Sequence, residues 1–254
     1  MPTFKKHSNA LSPNPYHRKV KWIKNWKLAL VALIFFCFLL GLGCWQLSRA
    51  QQKQILLNSF HKRIEHAPLT LIDLQHEKID ARFYRVSLVG QFDNQHTLLL
   101  DNKIFHGQVG YEIYTPFKVK GLNRVILVDR GFIPLTKDRK ILPPIQAILH
   151  ETTLVGLLNL PPTYFSFGSI ADTKTINWPL RIEYVNLKEI SKFTNTPLFP
   201  YILSLEPHHP AAYPTEWQIV IMGPERHIGY AVQWFALALT LLILFTVLNR
   251  SLQG

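Results

Sequence analysis

"GPERHIGYAVQWFALALTLLILF", residues 223–245, sets one histidine, His227, at the head of a long apolar run. From Ile228 to Leu248 the chain carries no charge for 21 residues, enough to cross a hydrocarbon core of roughly 30 Å at about 1.5 Å per helical residue. A second run, "LALVALIFFCFLLGLGCW" from Leu28 to Trp45, holds 18 uncharged residues. Buried core helices share this composition, but uncharged runs of this length are rare in soluble domains, so both are read as transmembrane helices.

Charge sets the orientation. The first 27 residues hold seven Lys or Arg and no acid, which by the positive-inside rule keeps the N-terminus in the cytoplasm. Two spans then return the C-terminus, with Arg250, to the same side. The whole-chain charge is +12, from 28 basic and 16 acidic residues; with those seven and Arg250 set aside, the remainder is near +4. The basic balance is therefore a topology signal beside anionic lipid, and it gives no support to nucleic-acid binding. The first run exceeds a signal-peptide h-region, and "GCWQLSR" after it lacks a small-residue cleavage site, so it reads as an uncleaved anchor. The tail is poor in Arg and unlike a mitochondrial transit peptide, which points to a bacterial inner membrane. The expected division is a basic cytoplasmic tail over 1–27, a transmembrane helix over 28–47, a periplasmic domain over 48–226, a second transmembrane helix over 227–248 and a cytoplasmic tail over 249–254.

The segment between the spans has the size of one domain. Strand patterns, β-branched or aromatic-rich and bounded by Gly, Pro or Asn, occur at 82–92, 96–105, 110–121, 124–135, 152–160, 181–187 and 216–222. Gly121-Leu122-Asn123 reads as a hairpin turn. Short helices are expected at 46–65, continuing out of the first span, and at 187–194, with loops at 136–150 and over the Pro-rich 197–214. The fold class is thus two transmembrane helices, N- and C-terminal, flanking one β-rich, barrel-like extracytoplasmic domain with short helices.

Catalytic motifs are sparse. There is no GxSxG, HExxH or P-loop, and Ser59 with Lys62 makes an SxxK that arises easily by chance. The two cysteines, Cys37 and Cys44, both lie in the first span, where a Cys is usually a small apolar residue. Disulfides therefore do not hold the outer domain together. His208-His209 in "EPHHP" are adjacent residues in a Pro-rich loop and read as a solvated pair rather than metal ligands. No enzyme is expected.

Polar signals instead gather where the first span ends and the second begins. Gly41, Trp45 and Arg49 are spaced four apart, and His227, Tyr230, Ala231 and Trp234 fall on one helical stripe; the expectation is that the two stripes face each other. Trp and Tyr also girdle membrane interfaces for their own sake. His227 beside Arg49 asks for more, because an imidazole nitrogen is a good axial ligand for haem iron and Arg pairs with propionate carboxylates. The candidate cofactor-binding set is His227, Trp45, Arg49, Tyr230 and Trp234, with His227 on the metal.

Three separated stretches, "LGCWQLSRAQQKQ" (42–54), "GQVGYEIYTPFKVKGLNRVILVDRGFIPL" (107–135) and "HIGYAVQWFALA" (227–238), together resemble the Surfeit locus protein 1 family, called Shy1 in yeast. The resemblance runs from about residue 28 to 248, with the motifs in family order. It implies a factor for assembly of haem-copper terminal oxidases that acts on the haem a centre of cytochrome c oxidase subunit I, alongside other assembly factors. It also implies haem a as the group bound, with the histidine opening the last span, His227, as the favoured ligand. Gly110-Tyr111 and Arg130-Gly131 match family landmarks. Glu225-Arg226 stand where the family usually has Asn and small polar residues, and the central pattern is "VDRGF", Val128 to Phe132, rather than "VNRGW". Two functions stay open: binding haem a and assisting its insertion into or retention by subunit I, or holding assembly intermediates as a cofactor-free scaffold. For the middle motif, the residues themselves favour a fold-holding role, with an acid such as Asp129 pairing with Arg130 and Gly131 supplying a bulge.

Overall fold

A computed structural model describes residues 26–70, 80–162, 170–171, 176–217 and 222–251. The chain divides into two compact units, one of Met1–Lys53 with Met222–Gly254 and one of Gln54–Ile221.

The first unit is helical. Helix α1 runs Trp26–Ile64 without a break, and helix α3 runs Pro224–Ser251. The short helix expected at 46–65 is thus the continuation of the first span. Both are long and apolar enough to cross a membrane, and their large apolar side chains, Leu33, Phe38, Leu239 and Val247 among them, stand exposed rather than packed. Such surface is stable in hydrocarbon and not in water. The buried residues are small: Gly43 and Ala50 on α1, Ala231 and Ala238 on α3, each pair seven apart. A Cβ on Gly43 would lie 2.5 Å from the Phe235 ring, so the close approach of the two helices depends on Gly there.

The second unit is a barrel-like sheet. Its strands are β1 Arg85–Phe92, β2 Leu98–Phe105, β3 Gln108–Val119, β4 Val125–Pro134, β5 Thr152–Asn159, β6 Leu180–Ile182 and β7 Leu198–Leu205. β1 pairs with both β5 and β3, so β1, β5, β7, β4 and β3 close on themselves while β2 and β6 extend the sheet beyond β3. Closure pairs both sides of β1, β5, β7 and β4, and leaves the three-residue β6 as a short edge. Val86, Leu88, Phe117, Val128, Leu154 and Leu203 fill one core. Leu98, Leu127, Ile182 and Ile202 fill another, capped by Ile190 of helix α2, Leu187–Phe193. Covered on both faces, β4 is buried from Val125 to Phe132, which is why "VILV" shows no alternation.

The β3–β4 turn falls at 121–123 as expected, with the Leu122 N–H donating to the Val119 carbonyl at 3.2 Å. Two expectations are corrected. β7 lies inside the stretch read as a Pro-rich loop. The strand expected at 181–187 ends at Ile182, because Asn186 stops the extended chain and caps α2, accepting from the Lys188 and Glu189 N–H groups. Of the strand expected at 216–222, Glu216 and Trp217 lie outside any strand and 218–221 fall outside the described residues.

Candidate functional site

His227 sits in the first turn of α3, half-buried on the face that packs against α1. Its Nδ1 lies 2.8 Å from Oε1 of Gln46. An amide oxygen only accepts, so Nδ1 is the donor in this bond. Among the described residues Nε2 has no hydrogen-bond partner. With Gly43 against Phe235 and Gln46 against His227, the helices run antiparallel, and the packed stripe on α1 is Gly43, Gln46 and Ala50.

The expected stripe is therefore displaced. Gly41 faces open space and Trp45 and Arg49 are exposed; at 100° per residue, a step of one or two along the helix leaves the contact face. The Arg49 guanidinium lies 5.7 Å over the Trp45 ring and donates to Oε1 of Gln52 at 3.0 Å. Tyr230 is exposed and Trp234 half-buried. The structure thus brings Trp45 to Arg49 and His227 to Gln46, and among the described residues no hydrogen bond, ring pair or cation–π contact joins Trp45 or Arg49 to Tyr230 or Trp234.

The other candidates are accounted for locally. Ser59 Oγ donates to the Ile55 carbonyl of its own helix at 2.9 Å. His209 is not a solvated side chain: Nε2 meets the Thr153 carbonyl at 3.0 Å and Nδ1 accepts from the Ala211 N–H at 3.1 Å, so both ring nitrogens hold a loop in place. Cys37 and Cys44 are free and exposed on α1. Among the described residues no three His, Cys, Asp or Glu side chains converge on a metal-sized space.

The barrel unit contains a cleft of about 510 Å³. Phe105 and Phe132 stack along it, ring centroids 5.4 Å apart. On its floor Lys103 Nζ pairs with Glu112 at 2.9 Å, Tyr114 donates to Glu112 at 3.1 Å, and Asp129 Oδ2 accepts from Ser204 Oγ at 3.2 Å. Burial, and after it the charge of Glu112, pushes the Asp129 carboxyl up to about 8, against the hydrogen bonds from Gly131 and Ser204 and the charge of Lys103, which act the other way. Between the carboxylate range of the unfolded chain, near 4, and pH 8, the folded protein keeps a proton that the unfolded chain releases. Stability from this group is complete below that window and is lost as pH rises through it. Asp129→Asn keeps an acceptor for Gly131 and offers an amide N–H to Ser204 Oγ, which then accepts instead of donating, so it is expected to flatten the fall in melting temperature from pH 5 to pH 9. At pH 8 the variant should exceed the wild type by roughly 5 °C. An equal slope in both proteins would show that Asp129 is ionised in the fold.

The SURF1 family model matches residues 33–239, which takes in most of α1, the first part of α3 and the whole barrel. The chain belongs to the SURF1 family. This is a family of cytochrome oxidase assembly factors. Among its relatives, the SURF1-like protein of Rickettsia prowazekii (strain Madrid E) is 26% identical over 231 residues, covering 89% of this chain and 91% of that protein. The SURF1-like protein of Rickettsia felis is 27% identical over 231 residues, 89% and 98% of the two chains. Surfeit locus protein 1 of Gallus gallus is 28% identical over 236 residues, 85% and 72%.

The middle stretch that carried the SURF1 resemblance is a fold-holding device. Gly131 pairs with Ile113 and Asp129 with Tyr114, so Arg130 is the extra residue of a β-bulge. The bulge was expected; the Asp129–Arg130 pair was not found. Asp129 Oδ1 accepts from the Gly131 N–H at 3.0 Å. Arg130 is buried, its guanidinium donating to the carbonyls of Ala211 at 3.0 Å and Gln146 at 3.1 Å and lying between the Phe92 and Tyr213 rings. Charge alone suggested an acid for Arg130, but backbone carbonyls serve Nε and Nη2 without a second buried ion, while Nη1 is buried with no hydrogen-bond partner among the described residues. Gln46 lies off the expected aromatic stripe; the available signal was that it is the first polar side chain after the uncharged run that ends at Trp45.

Proposed function

We propose that this chain is an assembly factor for a haem-copper cytochrome c oxidase that binds haem a through His227 and assists its insertion into, or retention by, subunit I. Family membership supports the assembly role. The observation that supports the haem reading is the Gln46–His227 hydrogen bond, in which Nδ1 gives its N–H to the amide oxygen, so that Nε2 is the nitrogen left to meet iron. Haem is cargo here, supplying an iron with an open axial position and two propionate carboxylates. His227 offers the axial nitrogen, exposed Arg49 offers a cation for a propionate, and Trp45, Tyr230 and Trp234 offer flat apolar surface. The seven-to-zero charge bias over residues 1–27 supports an inner-membrane protein with both termini cytoplasmic and the barrel periplasmic; a reporter at Gly254 active only outside would reverse that orientation.

The test is the visible spectrum of the full chain purified from cells that make haem a. Wild type should carry a haem a band. His227→Ala should remove or shift that band with membrane insertion intact, and Arg49→Ala should retain less haem. An unchanged spectrum in His227→Ala, or a wild-type protein without haem, ends the ligand role. The packed hairpin of α1 and α3, which closes on Gly43 and Phe235 without any cofactor, would then favour a scaffold that holds oxidase intermediates, touches no cofactor and works beside the other assembly factors.

A further inference from the structure

We propose that Gln46 is the positioning residue for the ligand His227, fixing the ring's tautomer and aim and setting how strongly the imidazole donates to iron. This rests on the reading of His227 as a haem ligand and adds a residue to it. The argument begins with the helix face. Gln46 lies three residues after Gly43 and four before Ala50, both buried, so its side chain leaves α1 within the contact stripe rather than toward lipid. His227 leaves α3 four residues before the buried Ala231, on the corresponding stripe. Small residues on either side keep the helices close, and the two polar side chains meet at 2.8 Å in a contact that is otherwise apolar.

Three consequences follow for the imidazole. The proton is held on Nδ1, because the amide oxygen has nothing to donate. The ring plane is set by a hydrogen bond to a second helix, so the lone pair of Nε2 is aimed before any ligand arrives. The partner is a neutral amide and not a carboxylate. A carboxylate would pull the Nδ1 proton and give the imidazole imidazolate character, a stronger donor suited to a resident metal; an amide leaves an ordinary neutral imidazole. That is the weaker axial ligand expected of a protein that must release its iron porphyrin to another.

An interhelical hydrogen bond can also serve only as glue, contributing about 0.6–2 kcal/mol between membrane helices. The experiment separates the two roles by reading the iron. Full-length wild type, His227→Ala, Gln46→Leu and Gln46→Glu in detergent are loaded with iron protoporphyrin IX as the probe, and the dissociation rate of the ferric complex and its midpoint potential are recorded. Gln46→Leu is expected to release the probe about 10–100-fold faster. Gln46→Glu is expected to restore retention while lowering the midpoint potential below wild type and shifting the Soret band, which a packing contact alone does not do. If His227→Ala retains the probe as wild type does, the ligand reading fails and this proposal falls with it. If His227→Ala loses the probe while Gln46→Leu and Gln46→Glu keep wild-type release rates and potentials, His227 stands as ligand and the role of Gln46 is overturned.

Discussion

Arg130→Ala is expected to cost the outer domain about 3–5 kcal/mol, shown as a lower urea midpoint for the full chain, followed by Trp178 and Trp217 emission. The side chain spans the bulge of β4 and two loops. Nε holds the Ala211 carbonyl and Nη2 the Gln146 carbonyl, so the guanidinium ties the loops before β5 and after β7 to the barrel wall. The Phe92 and Tyr213 rings enclose it, their centroids 5.2 and 5.3 Å from the guanidinium carbon. Truncation strands two acceptors at about 1–3 kcal/mol each when they stay buried, and opens a cavity between two aromatic rings. Against this stands the relief of a desolvated cation, since burial presses the Arg130 guanidinium below its ordinary value. The relief, which includes that of the buried and unpartnered Nη1, does not cancel the loss, because two carbonyls and two rings lose their partner at once. Arg130→Lys should recover little of the stability, because an ammonium lacks the planar fork that reaches both carbonyls and stacks between rings. A loss below about 1 kcal/mol for Arg130→Ala would mean that the loops hold without it.

How far the sequence carries depends on whether a signal is local. The spans are local: a run without charge and a one-sided basic flank are readable residue by residue. β1, β3, β4 and β5 are nearly so, since apolar, β-branched stretches between turn residues are themselves the strands. β7 was not legible for a definite reason. "LFPYILSL" contains Pro200, which has no N–H to give, and the β4–β7 register breaks between the Val125–Leu198 and Leu127–Ile202 pairs, on either side of that residue. Tertiary pairing on both flanks, with β4 and β5, keeps the strand despite the interruption. The cleft was beyond reach for another reason. Lys103, Glu112, Asp129 and Ser204 come from four strands, and only the barrel's register brings them to one floor. His227 was legible as an oddity at a helix start. Its partner was not, because choosing Gln46 over Trp45 needs the rotation of α1 about its axis to within one residue.

Gly131→Ala is expected to cost about 2–5 kcal/mol, and to do so through the backbone alone. The residue sits at φ +104°, where L side chains are strained by roughly 1–3 kcal/mol. A methyl group there would stand 2.6 Å from the Tyr213 carbonyl and 2.9 Å from that of Pro214, neither of which can swing away as a side chain does. Those carbonyls belong to the segment laid along the bulge. The Tyr213 N–H donates to the Arg130 carbonyl at 2.6 Å and the Phe132 N–H to Pro214 at 2.9 Å. To admit a Cβ the segment must lift, and lifting it stretches the Arg130–Ala211 bond two residues upstream. The two substitutions therefore break one connected device, and their costs should not add. The double variant Arg130→Ala with Gly131→Ala is expected to fall short of the summed single losses by at least about 1 kcal/mol in urea unfolding. Full additivity would mean that the bulge glycine and the buried guanidinium hold the 206–217 segment independently, and the account of Arg130 as the strap between bulge and loop would have to be given up.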